Sequence, residues 1–318
     1  MALSCHDLLA IEDLEKADIL TLIDTASSFK DVSTRQIKKV PTLRGRTIVN
    51  FFLEPSTRTR TSFEIAGKRL SADVINISGS SSSLVKGESL KDMAKTIEAM
   101  QVDAVVVRHW SSGSAFKLAH YIEPPVINAG DGKHEHPTQA LLDLLTIKES
   151  FGKIAGLKIT IVGDISHSRV ARSLVVLLKT MGATVTIVAP PMLIPAKIEK
   201  LGCNVSLSLD DVIEKSDILY ILRIQKERLT ADLFSNYAEY NRQYGLTKER
   251  WAKASKKCKV MHPGPMNRGV EIDDEVADSL GSLINTQVEN GVAMRMAVLY
   301  LLVGGAAQEL GGAREGAL

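Results

Sequence analysis

Runs of β-branched and other apolar residues alternate with helix-type patterns along most of the 318-residue chain, and this alternation restricts the possible folds more than any other feature. Strands that are separated by helices are typical of a parallel sheet with helices on both faces. The sequence therefore predicts an α/β protein. Its predicted strands comprise residues 47–52, 74–77, 104–108 and 126–128 in the first half, and 158–162, 184–188, 204–207, 218–222 and 259–261 in the second half.

The strand pattern is interrupted in the middle of the chain by a helix-type segment at residues 136–150 and a stretch that ends at Gly156. A chain of this length can form two hydrophobic cores. We therefore predict two domains, each a mostly parallel sheet covered by helices on both faces. The first comprises residues 1–135 and a C-terminal helix at 288–310, and the second comprises residues 136–287, with helix 136–150 as the bridge.

The overall charge and the cysteine content argue against several classes of protein. Thirty-nine basic and 37 acidic residues leave a formal net charge of only +2, which argues against a general nucleic-acid-binding protein. The three cysteines, Cys5, Cys203 and Cys258, form no disulfide framework or CxxC motif, so we expect a cytoplasmic location. The longest apolar run, 297–307, is about half of the ~20 residues that a membrane span needs, so we expect a buried helix there and no membrane partner. The first residues lack a signal-peptide pattern.

The segment STRTR, at residues 56–60, joins the first predicted strand to a helix pattern. The first N–H groups of a helix have no partner inside the helix, and the helix dipole makes their position favourable for an anion. Here the turn adds three hydroxyls and the guanidiniums of Arg58 and Arg60, which match phosphate oxygens in bidentate geometry. An ordinary capped helix with a basic face is the simpler interpretation, but two arginines alternating with threonines favour a phosphate site.

Residues 80–83 are consecutive serines, and Lys86 follows them shortly before a helix predicted at 90–100. By composition this segment is typical of a flexible linker. A Ser-rich loop that carries one lysine is also typical of a lid over an anion, and this is our interpretation. No Walker A spacing is present and the strand at 158–162 is not followed by GxGxxG, so we predict no cofactor.

Several motifs follow one another in order along the chain: STRTR at 56–60, the loop from Ser82 to Lys86, VRH at 107–109, HPTQ at 136–139 and HPGP at 262–265. In these motifs the chain resembles the aspartate/ornithine carbamoyltransferase family over nearly its whole length, and within that family the aspartate branch. The resemblance implies transfer of the carbamoyl group from carbamoyl phosphate to the amine of L-aspartate. This reaction gives N-carbamoyl-L-aspartate and phosphate in de novo pyrimidine biosynthesis, by direct attack without a covalent intermediate.

The resemblance also implies a role for each motif. The reaction needs a site that neutralises the phosphate, polarises the carbonyl group and places the amine. The residues implied in carbamoyl phosphate binding are Ser56, Thr57, Arg58 and Thr59 for the phosphate, Arg108 for phosphate and carbonyl, Thr59 and His136 for the carbonyl oxygen, Gln139 for the carbamoyl NH2, and the backbone carbonyls of Gly264 and Pro265 for the other amide protons. The residues implied in catalysis are Arg58, Thr59, Lys86, Arg108 and His136.

Aspartate carries two carboxylates, so its site requires cations. The resemblance assigns Arg169, Arg223 and Gln225 to aspartate, with Lys86 closing from the other side. Read alone, the two arginines could be solvated helix residues, and His136 a capped surface group. Both arginines stand near the ends of predicted strands, where open α/β sheets bind ligands, and this favours the binding function.

Two alternatives remain open at this point. An ornithine acceptor requires an acidic group for its side-chain ammonium, and the ornithine branch carries a Ser-Met-Gly stretch and a cysteine after the histidine of its C-terminal motif. This chain contains no Ser-Met pair, and proline follows His262. A non-catalytic anion-binding paralogue is the more remote alternative, because every motif position carries a competent residue.

The resemblance further implies a homotrimer in which the loop with Ser82 and Lys86 reaches into the site of the neighbouring subunit. Some family members work as bare trimers, whereas others dock to regulatory or dihydroorotase-like chains, and the sequence does not distinguish these cases. His134 and His136 lie near Asp131, but no further pair at ligand spacing follows, so we predict no metal site in this chain.

Overall fold

The computed structural model describes residues 3–79, 88–225 and 237–304. The chain forms two compact units, one comprising Met1–Leu145 and Glu289–Leu318 and the other Thr146–Val288. Each unit has its own parallel sheet with helices, so the predicted fold class is confirmed. The assignment of residues 1–135 and 136–287 to two ligand-binding domains stays a prediction.

The first unit is built on a sheet in which all strand pairs are parallel, with the order β2-β1-β3-β4. The predicted strands of this half all form, and their ends extend by one to three residues at most. The elements are α1 (Lys16–Thr34), β1 (Thr47–Phe52), α2 (Thr57–Arg69), β2 (Asp73–Ser78), α3 (Leu90–Ala99), β3 (Ala104–His109), α4 (Ser114–Tyr121), β4 (Val126–Asp131) and α5 (Pro137–Phe151), which continues into the second unit.

Burial along these strands follows their place in the sheet. The inner strands β1 and β3 are almost continuously buried, because a parallel sheet is covered on both faces. Their apolar side chains, such as Phe51 and Val107, pack with Met93 and Ile97 from α3 and Leu118 from α4 in one hydrophobic core. The edge strand β2 is largely exposed. The core therefore fixes the carboxyl ends of the inner strands in place.

The second unit contains a parallel sheet with the strand order β7-β6-β5-β8-β9. The predicted strands form here too, although β7 and β8 each end one residue earlier than expected. The elements are β5 (Lys158–Val162), α6 (Arg169–Thr180), β6 (Thr184–Val188), β7 (Asn204–Ser206), β8 (Ile218–Ile221), α7 (Tyr237–Tyr244), α8 (Lys248–Trp251), β9 (Lys259–Met261), α9 (Asp274–Ala277) and the first residues of α10 (Ile284–Leu299), most of which belongs to the first unit.

The helix predicted near the C-terminus begins at Ile284, four residues before the expected start. It continues as a short π-helix, Tyr300–Gly304, in which Leu301, Leu302 and Val303 are buried. In this apolar run residues 297–299 and 301–303 are buried, whereas Tyr300 and Gly304 are partly buried, and residues 305–310 lie outside the described part. No helix among the described residues combines the length and apolar character that a membrane crossing requires.

Each sheet has a point where the strand order reverses. In the first sheet the chain goes from β1 outward to β2 and then returns, so that β3 lies on the other side of β1. In the second sheet the same reversal separates β5 from β8. Ligands of open α/β sheets bind outside the carboxyl ends of the strands at such switch points. The topology therefore indicates two candidate binding edges, at β1/β3 and at β5/β8.

Candidate functional site

The predicted phosphate motif begins at the switch point of the first sheet. Ser56 is the N-cap of α2 in an extended conformation, with φ of −161°, and its side chain makes no capping hydrogen bond. The Arg60 N–H donates to the Ser56 carbonyl oxygen at 3.2 Å, which closes the first helical turn. Thr59 is buried, whereas Thr57 and Arg58 are exposed. The predicted strand-to-helix turn is present, with its N-terminus at the carboxyl edge of the sheet.

Arg108 lies beside this turn because Phe52 and Arg108 are partners in the β1–β3 register. Its guanidinium donates through Nη2 to Oε1 of Glu54 at 3.1 Å and through Nη1 to the Ala129 carbonyl oxygen at 3.2 Å. The Arg108 carbonyl oxygen in turn accepts from the N–H groups of Leu53 and Glu54, at 2.8 and 3.3 Å. Both the backbone and the side chain of Arg108 therefore connect to the segment that leads into STRTR.

Glu54 contacts the predicted site through Arg108, although no role was predicted for it from the sequence. Its side chain is 19% exposed and that of Arg108 12%, so the pair lies largely out of water. The carboxylate holds the guanidinium in one orientation, and bidentate recognition depends on such orientation. The available signal was its position, immediately before Pro55 and STRTR.

His109, next to Arg108, is buried beneath the same edge. Burial lowers the pKa of the His109 imidazole, and the charges of Asp131 and Glu54 oppose this effect only in part. Its Nδ1 accepts a hydrogen bond from the Ser111 N–H at 2.9 Å, so the ring proton of the neutral form is on Nε2. His109 therefore stabilises the turn after β3.

His136 precedes α5, which begins at Pro137 as expected. Its side chain is only 4% exposed, so the interpretation as a capped surface group is wrong. The turn between β4 and α5 is organised by Asp131, which is 1% exposed. One oxygen of Asp131 accepts from Gly113 N–H at 2.6 Å, and the other accepts from Glu135 N–H at 3.0 Å. Asp131 therefore acts here as a hydrogen-bond acceptor that fixes the approach to His136.

Gln139 lies in the first turn of α5, close behind His136. Its side-chain Nε2 donates to Oδ1 of Asp143, one helical turn further on, at 3.1 Å. Gln139 is 9% exposed, whereas Asp143 is completely buried. The first sheet therefore places the STRTR turn, Arg108 and the HPTQ turn after three neighbouring strands, β1, β3 and β4.

The predicted aspartate residues of the second unit lie at its own switch point. Gly163, directly after β5, has φ of +132°, which favours glycine. A Cβ at this position would lie 2.7 Å from the Leu222 carbonyl oxygen, so the turns after β5 and β8 pass close to each other. Asp164 then contacts the His167 Nδ1 through both carboxylate oxygens, at 2.8 and 3.0 Å. Glycine here permits the close approach, and the carboxylate fixes the turn.

Arg169 is the first residue of α6, and Ser168 caps the helix by accepting from the Ala171 N–H at 3.1 Å. Arg169 is 7% exposed, which excludes the interpretation as a solvated helix residue. After β8, Arg223 is partly buried, and the Gln225 Nε2 donates to the His167 carbonyl oxygen at 3.0 Å. The structure therefore brings Gln225 into contact with the turn that leads to Arg169. Residues 226–228, the rest of this charged run, belong to the stretch 226–236, which lies outside the described residues.

The HPGP motif follows β9, the neighbour of β8. The Gly264 N–H donates to the His262 Nδ1 at 2.8 Å, and the His262 Nε2 lies 3.4 Å from Oε1 of Glu271. Glu271, which has no exposed surface, also accepts from the Asn267 N–H. Gly264 has φ of +61°, and the Gly264–Pro265 peptide is cis. The turn that carries the predicted backbone carbonyls is therefore fixed by a buried carboxylate that the sequence did not single out.

Two of the predicted site residues belong to the Ser-rich segment before α3. Ser82 and Lys86 both lie between residues 80 and 87, outside the described part of the chain. Their roles stay predictions.

Comparison with known protein families gives two adjacent matches. Residues 6–149 match the carbamoyl-P binding domain of aspartate/ornithine carbamoyltransferases, and residues 155–302 match the Asp/Orn binding domain of the same enzymes. Among similar sequences, the aspartate carbamoyltransferase catalytic subunit of Acidothermus cellulolyticus is 58% identical over 96% of this chain and 94% of its own length. The corresponding subunit of Thermobifida fusca is 55% identical over 97% of this chain and 98% of its own.

Solved structures from both branches of this group are similar to the chain. Aspartate transcarbamoylase from Trypanosoma cruzi, in complex with N-(phosphonacetyl)-L-aspartic acid, superposes with a TM-score of 0.85 at 33% identity, over 93% of this chain and 95% of that one. Ornithine carbamoyltransferase from Pyrococcus furiosus has the same TM-score, 0.85, at 30% identity over 96% and 99% of the two chains. Backbone similarity therefore does not separate the two acceptors, whereas the sequence relatives cited above are of the aspartate type.

Proposed function

Because the chain belongs to the aspartate/ornithine carbamoyltransferase family, we propose that it transfers the carbamoyl group of carbamoyl phosphate to the amine of L-aspartate, giving N-carbamoyl-L-aspartate and phosphate. The observation that carries the choice of aspartate is the near-full-length similarity to aspartate carbamoyltransferase catalytic subunits. Ornithine transfer is not favoured, since the sequence signals of that branch are missing from the chain.

The phosphate of the donor binds at the N-terminus of α2. Ser56, Thr57, Arg58 and Thr59 supply backbone N–H groups, hydroxyls and a guanidinium around one point. The uncapped first turn and its place at a switch point support this assignment, because a helix N-terminus favours an anion and needs no further cation to do so. Arg108 bridges the phosphate and the carbonyl oxygen, held in place by its contact with Glu54.

The chemistry needs no enzymatic nucleophile, because the carbonyl group of carbamoyl phosphate is already activated. The aspartate amine attacks the carbonyl carbon, negative charge develops on the carbonyl oxygen, and the bond to the phosphate oxygen then breaks. Thr59, His136 and Arg108 donate hydrogen bonds to that carbonyl oxygen, and one such donor is worth roughly 3–4 kcal/mol of barrier. The departing phosphate accepts the proton that the amine loses. Gln139 and the backbone carbonyls of Gly264 and Pro265 bind the carbamoyl NH2.

The acceptor amino acid binds at the carboxyl edge of the second sheet. Arg169 and Arg223 pair with the two carboxylates of aspartate, and Gln225 adds a hydrogen bond. The contact of Gln225 with the turn before Arg169 supports this grouping, since residues from β5 and β8 then meet at one switch point. Lys86 closes over the substrate from the Ser-rich loop.

The proposal has a direct test in the choice of acceptor. We expect the purified chain to form carbamoyl aspartate from carbamoyl phosphate and aspartate, and to react with ornithine at least about a thousandfold less efficiently in kcat/KM, because a site built from cations repels the ornithine ammonium. Product formation measured with each amino acid checks this expectation. Phosphate release without a carbamoylated product would indicate hydrolysis alone and contradict the proposed transfer.

We place the reaction in de novo pyrimidine biosynthesis in the cytoplasm, and the chain in a homotrimer. Three free cysteines support a reducing compartment. The trimer rests on the family resemblance, in which the loop with Ser82 and Lys86 completes the site of the neighbouring subunit. Docking to regulatory or dihydroorotase-like chains is compatible with this arrangement.

A shared site predicts complementation between two inactive variants. When Arg58→Ala chains are mixed with Lys86→Ala chains, we expect part of the activity to return, because an intact Arg58 on one subunit meets an intact Lys86 from its neighbour. Rates measured after controlled dissociation and reassociation check the effect, and each variant treated alone is the control. Mixed trimers that are proven by mass labelling and still inactive would show that sites are not shared.

A further inference from the structure

A buried polar cluster lies behind the carbamoyl phosphate motifs of the first unit. It comprises Asp143 on α5 and Arg295 on α10, which are 0% and 4% exposed. Buried charges are costly and persist where they are paired or have a function. Neither residue belongs to the motifs that contact substrate in the proposed function, so the cluster needs its own explanation.

The contact between Asp143 and Gln139 determines how the glutamine amide is oriented. The two residues are four positions apart on α5 and therefore lie on the same helix face. An ionised carboxylate can only accept hydrogen bonds, so the Gln139 NH2 group must face Asp143, at 3.1 Å. The Gln139 carbonyl oxygen then points away from Asp143. An acceptor in that position matches the N–H donors of a carbamoyl NH2 group.

Arg295 supplies the positive charge next to this carboxylate. Burial lowers the pKa of the Arg295 guanidinium to about 10, and the charge of Asp143 partly opposes the effect, so the group stays protonated at neutral pH. Its Nη1 donates to the Gly291 carbonyl oxygen at 3.0 Å, and its guanidinium lies 5.1 Å above the ring of Phe63 on α2. The Arg295 guanidinium therefore packs on the helix of the STRTR motif, and it interacts electrostatically with Asp143 on the helix of Gln139.

A glycine on α10, one helical turn before Arg295, leaves room for the Arg295 side chain. A Cβ on Gly291 would lie 2.7 Å from the Arg295 Nη1, so glycine leaves the space that the guanidinium fills. Phe63 is 1% exposed, so the ring under the guanidinium is buried.

We propose that Asp143 is a positioning residue for donor specificity: by holding the Gln139 NH2 group, it presents the Gln139 carbonyl oxygen to the carbamoyl NH2 and favours carbamoyl phosphate over acyl phosphates that lack this group. The inference rests on the proposed function and deepens it. Acetyl phosphate is the matched probe, because a methyl group replaces the NH2 and cannot donate. Inorganic phosphate tests binding at the N-terminus of α2 alone.

The test is the variant Asp143→Asn, whose amide can donate as well as accept and so no longer dictates the orientation of Gln139. We expect the dissociation constant of carbamoyl phosphate, measured by calorimetry, to rise about five- to tenfold, the equivalent of one hydrogen bond. The constants of acetyl phosphate and inorganic phosphate should stay within about twofold of wild type. An equal weakening of all three ligands would indicate a merely structural role and overturn the proposal.

A double-mutant cycle shows whether Asp143 acts through Gln139. In a Gln139→Ala background, the change Asp143→Asn should leave the ratio of the carbamoyl phosphate and acetyl phosphate constants unchanged, because the group that it orients is missing. If Asp143→Asn raised this ratio in the Gln139→Ala background as much as in the wild-type background, the proposal would be overturned.

A second variant serves as a control for loss of folding stability. Asp143→Asn leaves the buried Arg295 without its counter-charge, and this can unfold the chain. The double variant Asp143→Asn/Arg295→Met removes both charges and keeps an unbranched side chain against Phe63; it should fold and show the same selective loss of carbamoyl phosphate affinity. A folded double variant with unchanged affinity ratios overturns the inference. The wild-type rate with aspartate tests the proposed function separately. An inactive wild type refutes both the proposed function and the role of Asp143. If the wild type is active but the Asp143 variants keep its ratio of carbamoyl phosphate to acetyl phosphate affinity, only the role of Asp143 is refuted.

Discussion

Replacement of Arg108 by alanine should lower kcat for carbamoyl transfer by about a hundred- to a thousandfold, the effect expected when one donor to the developing charge of a transition state is lost. In the proposed site the Arg108 guanidinium contacts both the phosphate and the carbonyl oxygen of the donor. The affinity for aspartate should change far less, since the proposed site assigns that substrate to Arg169 and Arg223. Steady-state kinetics with each substrate varied in turn measure both effects.

The same substitution affects folding stability, and the two effects must be separated. Arg108→Ala leaves the Glu54 carboxylate, which is 19% exposed, without its guanidinium partner. We expect a loss of roughly 1–3 kcal/mol in the free energy of unfolding. The double variant Arg108→Met/Glu54→Gln removes both charges and should recover most of this stability but none of the activity.

The variant Arg108→Lys provides a second control. Lysine keeps the positive charge but not the planar fork that binds two oxygens at once. We expect its rate to lie close to that of the alanine variant. A lysine variant with near-normal kcat would mean that charge alone suffices, and the proposed bridging geometry would then be wrong.

Replacement of Arg169 by alanine should raise the KM for aspartate by about 30- to 100-fold, because one charge-assisted hydrogen bond to a carboxylate is worth roughly 2–3 kcal/mol. The KM for carbamoyl phosphate should remain within about twofold of wild type, since its ligands belong to other motifs. Initial rates at saturating concentrations of the second substrate measure both constants.

Arg242→Ala is the matched control for this variant. Arg242 is an exposed arginine on α7 of the same unit, and its removal changes the net charge by the same amount. We expect unchanged kinetics for it. If Arg169→Ala weakened both substrates equally, or if Arg242→Ala raised the KM for aspartate to the same extent, the assignment of Arg169 to the acceptor would fail.

Local patterns in the sequence were sufficient for the fold class and for most element positions. Strands such as β1 and β5 appear at the predicted residues because a strand buried on both faces needs a continuous apolar run. The helix α1 was not predicted, although a signal exists. Its buried residues Ile19, Leu22, Ile23 and Ala26 follow the spacing of one helix face.

The placement of the predicted site motifs in the two sheets followed from the same local information. Motifs that come directly after parallel strands must lie at the carboxyl edge of a sheet, whichever strands turn out to be neighbours. STRTR, Arg108 and the HPTQ turn therefore lie at one edge, and Arg169 with Gln225 at another. The residues that hold these motifs in place through hydrogen bonds could not be predicted from the sequence. Asp131 and Glu271, for example, carry no motif and act only through their hydrogen bonds.

The sequence by itself determined the fold class of the protein, the approximate positions of its strands and the order of its motifs, because periodic burial and strand-to-helix turns are local properties of a chain. Only the tertiary structure decided which carboxylate holds Arg108. Glu54 and Arg108 are separated by 54 positions, and the charge of Asp143 acts electrostatically on Arg295, which belongs to a helix distant in sequence. Such pairs form when the sheet sets its strand order and the core excludes water, so no local pattern records them.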